Sequence, residues 1–525
     1  MVSTSGDEVR EGLSSVTRGT LFLLVAALAY VGISFVSRVI VVDGISQGEW
    51  NAFSLALTFS AVLSAIGTLG LPNAIARSLP FTSSDSDRRT MVRGTLAVGA
   101  ASGIAGAVVL YVFARPIGVA LSSSDLSAAD LTLSLQFFAI TIATSVVSTL
   151  IASIFQGYED VVPNALFVQV ITPALFVVAL GAVIALPPHA VSYVGALAAY
   201  AAANVAGLVC LTVYTLRQLP RRLPAGPAAP GALRKLMLFA LPLFVVGFMS
   251  TLTGYGDTLV LGLYHSSEVG TYTASLTLAR LIQVGVSAAA YIFLPVATKF
   301  LRRNDLPSVG LTFTTVTKWM IAFSLPLFLV FFFLPSESLL FVYKAPYGNV
   351  TLPLDILVVG AFATTFLGPG PTVQVANGRT RLLAYNAIAA GLIDVGVAFA
   401  LVPEYGYVGA AIAWSCANAA YSALSILELG LLDGIHPFRR HLWLPLLATA
   451  VPVAVVLAIV REPLSRFLLP PLAVGIAGLF VLVVLFTRSV DVGDALLLDA
   501  VERMLGRPLP RLRRLGRIGL RRRLL

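Results

Sequence analysis

A charged side chain in the middle of an apolar helix has few options. It binds an ion, pairs with an opposite charge, or reaches back to the interface. Left bare it costs about 2.5–3.5 kcal/mol on insertion scales. Three cations, Arg38, Arg280 and Lys318, and two acids, Asp257 and Asp394, stand inside long apolar segments of this chain, and Arg77 follows the end of another. Arg280 is the deepest, about ten residues from the outer end of its segment and therefore about 15 Å into the membrane. Thr273, Thr277 and Ser287 share its face by helical spacing. A guanidinium there binds an anion or bridges to another helix. Arg38, with Tyr30 and Ser34 on its side, binds an anion or snorkels outward. Arg77 and Lys318 lie near cytoplasmic span ends, where they line a cationic cavity or sit at the interface.

The acids point to ion coupling, because a desolvated carboxylate changes protonation or takes up a cation. Asp257 carries Ser250, Thr253 and Gly254 on its side, and Asp394 is a second intramembrane acid. The alternative is that both pair with basic residues. Catalysis is not expected. The two cysteines, Cys210 and Cys416, and the four scattered histidines give no metal spacing, and there is no Ser-His-Asp set or P-loop. The sequence thus predicts no enzyme activity, no cofactor and no metal.

The elements that must position these groups follow from composition. The chain of 525 residues is 58% hydrophobic and 11% charged, with mean hydropathy +0.90. A soluble domain carries about 25% charged residues. Only lipid can cover such a surface, which excludes a cytosolic enzyme and a nucleic-acid-binding module. Fourteen segments are long enough to cross a bilayer, at 19–42, 51–72, 94–114, 131–155, 161–186, 191–214, 236–263, 270–297, 313–334, 351–376, 382–402, 407–431, 442–460 and 467–487. None alternates as a strand would. The expected fold is all-α, a polytopic bundle of 14 transmembrane helices.

Basic residues orient the bundle. Loops after even-numbered spans hold sixteen Lys and Arg, and loops after odd-numbered spans hold four. Both chain ends are therefore expected in the cytoplasm, with the protein in the cytoplasmic membrane. Beyond Asp491 an amphipathic helix to Leu505 and an arginine-rich end (Arg511, Arg513, Arg514, Arg517, Arg521, Arg522, Arg523) are expected to anchor on anionic lipid or to dock a partner enzyme. Gly368-Pro369-Gly370-Pro371 interrupts the tenth span and is a candidate hinge.

The chain also repeats itself. Residues 193–206 match 407–420 at eight of fourteen positions, sharing Tyr-Val-Gly-Ala and an Asn. Arg38 and Glu49 match Asp257 and Glu268 at an offset of 219, and 156–160 matches 377–381. Six spans is an even number, so the copies enter the membrane from the same side, as a parallel repeat. The expected domains are an N-lobe at 1–216, a cytoplasmic linker at 217–235, a C-lobe at 236–431, two further helices at 432–488 and a tail at 489–525. Two six-helix lobes suit alternating access, in which rocking exposes a cavity to either side.

Six plus six plus two spans resemble the polysaccharide and oligosaccharidyl-lipid flippases of the multidrug/oligosaccharidyl-lipid/polysaccharide exporter superfamily. The resemblance covers nearly the whole chain. Its marks are Ser37-Arg38 with Gln47-Gly48-Glu49, Leu69-Gly70-Leu71-Pro72 with Arg77, and Leu241-Pro242-Leu243 with Asp257. Glu268 to Tyr272, Asn377-Gly378-Arg379 and Tyr407 to Ala411 complete them. In that family the cavity is often cationic and receives the phosphate or pyrophosphate of a lipid-linked sugar. The resemblance implies Arg38 and Arg280 as head-group residues, and a monomeric flippase that moves a polyprenyl-linked glycan for surface polysaccharide or glycoprotein synthesis. A cation-coupled multidrug antiporter is the rival, although twelve spans and an acidic cavity would suit it better. A membrane glycosyltransferase would need carboxylates in a large outside loop, which the chain lacks.

Overall fold

The computed structural model describes residues 4–186, 190–222, 231–343, 347–438, 440–459, 465–487, 489 and 494. Apart from Asp494, the predicted amphipathic helix and the arginine-rich end lie outside the described residues. Helices make up the fold: α1 (Thr4–Gly44), α2 (Gln47–Gly67), α3 (Leu71–Ser78), α4 (Asp85–Ala120), α5 (Ala128–Gly157), α6 (Thr172–Ala185), α7 (Tyr193–Arg222), α8 (Ala232–Tyr264) and α9 (Val269–Ile282). They continue as α10 (Val284–Leu301), α11 (Leu306–Phe333), α12 (Pro335–Val342), α13 (Leu352–Leu367), α14 (Gly370–Ala376), α15 (Thr380–Tyr405), α16 (Tyr407–Asp433), α17 (Arg440–Ile459) and α18 (Leu469–Phe486). A wider π-helical stretch, Pro163–Ile171, leads into α6. Among the described residues the only extended pairing is an isolated bridge between Ser123 and Leu126.

Among the described residues thirteen helical stretches are long and apolar enough to span a membrane, and the bent pair α13–α14, counted as one span, makes fourteen. The expected fourteen-helix bundle is the observed one. Its ends are built locally: Ser46 accepts from the Glu49 backbone N–H at 3.3 Å while the Glu49 carboxylate accepts from Ser46 N–H at 2.7 Å, a reciprocal cap that starts α2. In lipid, apolar burial does not drive helices together, so close packing and polar bonds must. The buried face of α4 accordingly carries Thr95, Gly99, Gly103, Ala114 and Gly118, and this stripe of small side chains lets α5 approach.

The chain divides into two compact units. One comprises 26–273 and 391–413. Its core joins α2, α5, α6 and α7 through aromatic rings, with Phe138 at 4.8 Å and Phe176 at 5.1 Å from the Tyr200 ring, and Phe53 edge-on at 5.8 Å. The other comprises 1–25, 274–390 and 414–525. Phe293, Phe313, Met320, Val373 and Leu429 form its core, drawn from α10, α11, α14 and α16.

Candidate functional site

The two acids read separately from the sequence are neighbours within the first unit. Asp257 on α8 and Asp394 on α15 are both fully buried. The Asp257 N–H donates to Asp394 Oδ2 at 3.0 Å. The Asp257 carboxylate accepts from Thr258 Oγ1 at 3.3 Å and from the Tyr272 hydroxyl. Asp394 Oδ1 has no hydrogen-bond partner among the described residues. Gly256 permits this approach, because a Cβ there would come within 2.7 Å of Asp394 Oδ2. Two carboxyls in one dry place disfavour joint ionisation, so the pair is suited to hold a proton or to share a small cation.

The same unit contains a polar seam that sequence reasoning did not find. It joins α2 to the Ser266–Glu268 turn and the start of α9. Buried Asn51 accepts from Gly270 N–H at 2.7 Å and donates to the Ser267 carbonyl at 2.8 Å. Trp50 Nε1 donates to the Gly270 carbonyl at 3.0 Å, Gln47 to Thr271 Oγ1 at 3.1 Å, and Thr273 to Ser54 Oγ at 3.1 Å. Two of these bonds, Gly270–Asn51 and Thr273–Ser54, link positions 219 residues apart. That is the offset at which Arg38 aligns with Asp257. Equivalent positions touch one another where a two-fold axis passes between them. The signal was available: Asn51 and Ser54 are polar residues on one face of an apolar helix, and their counterparts at +219 are Gly270 and Thr273.

The second unit holds Arg280, half-buried in the last turn of α9. The span continues as α10 after a break at Gln283. A broken helix frees carbonyls that lipid cannot satisfy. Here Ser324 on α11 donates to the Ile282 carbonyl at 2.7 Å, and Gln283 N–H reaches the Arg280 carbonyl at 3.1 Å. Gln283 Nε2 also donates to Thr364 on α13 at 3.3 Å, just above the second break. There α13 and α14 meet at a 42° bend. Gly368 has φ +80°, a conformation that favours glycine, and it packs against Thr317 so closely that a side chain would not fit. Two interrupted spans are thus linked by one hydrogen bond, and Arg280 sits at one interruption. Its position at a helix C-terminus favours a cation.

The other predicted cations have distinct surroundings. Arg38 is half-buried on α1. Arg77 is exposed at the end of α3, its guanidinium 5.7 Å from the centre of the Phe239 ring. Lys318 is only 1% exposed, and its ammonium donates to Asp494 at 2.7 Å and to the Ser489 carbonyl at 2.9 Å. Trp319 Nε1 donates to the other Asp494 oxygen at 2.6 Å. Among the described residues no group of three or more His, Cys, Asp or Glu is placed to hold a metal.

With this geometry in place, the comparison with known families decides the affiliation. The model for polysaccharide biosynthesis proteins matches residues 16–301, more than half of the 525. The chain belongs to the polysaccharide biosynthesis protein family. The matched stretch of this family member contains Arg38, Arg77, Asp257, Arg280 and the whole α2–α9 seam. No curated protein sequence matches significantly. Among solved structures, the lipid II flippase MurJ in an inward closed conformation is similar with TM-score 0.69 at 12% identity, covering 88% of this chain and 98% of that one. An inward-facing multidrug resistance MATE family transporter of the MOP superfamily is similar with TM-score 0.56 at 15% identity, covering 80% and 94%. An outward-facing one has TM-score 0.53 at 16% identity, covering 80% and 98%. At these identities the likeness establishes the fold of the polysaccharide biosynthesis protein, a fold solved elsewhere in both inward- and outward-facing states.

Proposed function

We propose that this protein is a flippase that carries a polyprenyl-(pyro)phosphate-linked oligosaccharide across the cytoplasmic membrane by alternating access, for surface polysaccharide or glycoprotein synthesis. The observation that carries the reading is Arg280, a guanidinium kept at a break in an apolar span of a polysaccharide biosynthesis family member. A lipid-linked glycan presents its phosphate next to the lipid chain, so the anion must pass the hydrocarbon. Bare, it would lose several kcal/mol or more of solvation. A guanidinium offers a planar fork that matches phosphate oxygens and stays charged at physiological pH. Arg38 and Arg280 are each assigned this role. Arg77, stacked on a ring at a span end, and Lys318, bonded to Asp494, are read as interface and structural residues. Asp257 and Asp394 are assigned the coupling ion, proton or Na⁺. Both ends of the chain are placed in the cytoplasm, the arginine-rich end on anionic lipid and within reach of glycan-assembly enzymes, and the protein works as a monomer.

The test is reconstitution in proteoliposomes with a polyprenyl pyrophosphate oligosaccharide and a leaflet-accessibility assay. Arg280→Ala is expected to abolish transfer with normal insertion. Arg280→Lys is expected to lose most of it, because a point ammonium lacks the fork. Arg38→Ala is expected to weaken it. Transfer at the wild-type rate by Arg280→Ala refutes the anion-site assignment. A wild type that moves no glycolipid but exchanges small organic cations for protons establishes a multidrug-type antiporter instead.

A further inference from the structure

The second unit holds a buried polar cluster that neither Arg280 nor the Asp257–Asp394 pair accounts for. Gln374 of α14, Asn386 of α15, and Ser425 and Glu428 of α16 meet there. Gln374 and Ser425 are fully buried, Asn386 is nearly so, and Glu428 is half-buried. Two amides converge on one carboxylate oxygen. Gln374 Nε2 and Asn386 Nδ2 each donate to Glu428 Oε2, the second at 2.9 Å. Asn386 Nδ2 also lies 3.3 Å from Ser425 Oγ, and Gln374 Nε2 lies 3.5 Å from the Ser425 carbonyl. Among the described residues Glu428 forms no ion pair, and Arg379, just beyond α14, forks onto Asp433 instead at 2.6 and 2.7 Å. Gln374 Oε1 is buried and has no hydrogen-bond partner among the described residues. A bare amide oxygen in a dry place is costly, and a carboxylate with no cation is more so. Extending the match of 193–206 to 407–420 sets Glu428 against Tyr214 and Ser425 against Leu211, so the fold itself does not require an acid here.

We propose that Glu428, Gln374, Asn386 and Ser425 bind a small monovalent cation, with Na⁺ as the ion to test. Glu428 supplies the charge. The two amide carbonyls and the Ser425 oxygens supply neutral ligands, and hard cations take oxygen ligands of this kind. An amide turned end for end exchanges its nitrogen and oxygen while filling the same space. The groups that donate to Glu428 can therefore face a cation with their oxygens, and the bare Gln374 oxygen gains a partner. One carboxylate balances one positive charge, so the loaded site is neutral, whereas a divalent ion would leave a net charge to desolvate. A proton would engage one or two oxygens, and more than that converge here. The site is separate from the Asp257–Asp394 pair, which belongs to the other unit, and it does not depend on which substrate is carried. Its place gives it a role. Gly370, the first residue of α14, follows the Gly368–Pro369 bend and packs on Ser425 so closely that a Cβ would lie 3.3 Å from the Ser425 Cβ. An ion held by Gln374, Asn386 and Glu428 joins α14, α15 and α16 beyond that bend and fixes the angle of the broken span.

The experiment measures the melting temperature of the full chain in detergent while NaCl replaces choline chloride at constant ionic strength. A ligand that binds only the folded state raises this temperature. The starting protein carries Asp257→Asn and Asp394→Asn, which removes the other acids assigned a coupling ion. Na⁺ is expected to raise its melting temperature. Gln374→Met is expected to move the midpoint of the Na⁺ titration about tenfold higher, the effect of one lost polar ligand. Glu428→Gln, of the same size but neutral, is expected to abolish the shift. Each variant is compared with itself in choline, so a change in its basal stability does not enter. Should the aspartate double variant fail to fold, binding of radioactive Na⁺ to wild type and to Glu428→Gln decides, with one Na⁺ fewer per chain expected in the variant. No Na⁺-dependent shift in the starting protein, or Na⁺ titration and binding unchanged by Glu428→Gln, overturns the site. Failure of wild type to move a glycolipid bears on the flippase reading and leaves this result as it stands.

Discussion

The seam between α2 and α9 makes the sharpest prediction. If it seals one face of the transporter, weakening it should open that face. Asn51→Ala removes two hydrogen bonds at once, one from Gly270 N–H and one to the Ser267 carbonyl. Asn51 is fully buried, so both backbone groups are left without a partner until water enters. An unpaired buried group costs about 1–3 kcal/mol, giving about 2–6 kcal/mol for the two. Water reaching the opened seam recovers part of this, and about 3 kcal/mol is a working value. At about 1.4 kcal/mol per tenfold, the open form gains about 100-fold. The reporter is Thr58→Cys, on the same face of α2 one turn beyond Ser54, where Thr58 is buried and donates to the Ser54 carbonyl at 2.9 Å. Cys210 and Cys416 are exposed and are first changed to serine. A membrane-impermeant maleimide applied from outside is expected to label the introduced thiol slowly in this background, and about 100-fold faster when Asn51→Ala is added. Equal labelling rates would refute the argument, since the bonds would then contribute nothing to closure.

Three further outcomes follow from other parts of the molecule. Ser54→Cys with Thr273→Cys places two sulfurs where the oxygens are 3.1 Å apart, and oxidation is expected to join α2 to α9 and stop transport until a reductant restores it; full activity in the oxidised form refutes a moving seam. Asp494→Leu leaves the Lys318 ammonium buried without its carboxylate and is expected to cost about 3–5 kcal/mol, read as a lower melting temperature in detergent, with Lys318→Met in the same chain restoring most of it. Asp257→Asn or Asp394→Asn is expected to remove the dependence of glycolipid transfer on an imposed proton or Na⁺ gradient; unchanged dependence in both leaves these acids as structural partners of α8 and α15.

The sequence made the spans legible because each must be about 20 apolar residues long, whatever it touches. The Gly368-Pro369 break was legible too, since proline and glycine act on their own backbone. The break at Gln283 was not. It contains no proline, and it is stabilised by Ser324, 42 residues away on another helix. Asp257 and Asp394 were each visible as costly charges, but their adjacency depends on how α8 and α15 pack, 137 residues apart in the chain. Lys318 was legible as a cation near a span end, lining a cavity or at the interface, but its bond to Asp494 was not, because that partner lies 176 residues on, in a segment read as a surface helix. The repeat was legible at Asn204 and Asn418, and each of these donates to the carbonyl four residues earlier, at 2.9 Å in both cases. What the match did not disclose was which repeated positions touch one another, because that depends on how the helices pack and not on local sequence.

The contact between Asn51 and Gly270 also bears on how such a protein can arise. Two identical six-helix chains meeting at a two-fold axis would set each residue against its own twin. Asparagine at both places would not work here, because the position opposite Asn51 is bonded through its backbone, and a Cβ on it would run into Asn51 and to within 2.7 Å of the Trp50 ring. Glycine at both places would provide no side chain to take up the N–H and the carbonyl. The bond requires one partner with an amide and one with no side chain at all. A homodimeric ancestor could only have held this seam in some other way. In a single chain the two positions are free to differ, and the asymmetric bond between Asn51 and Gly270 uses that freedom.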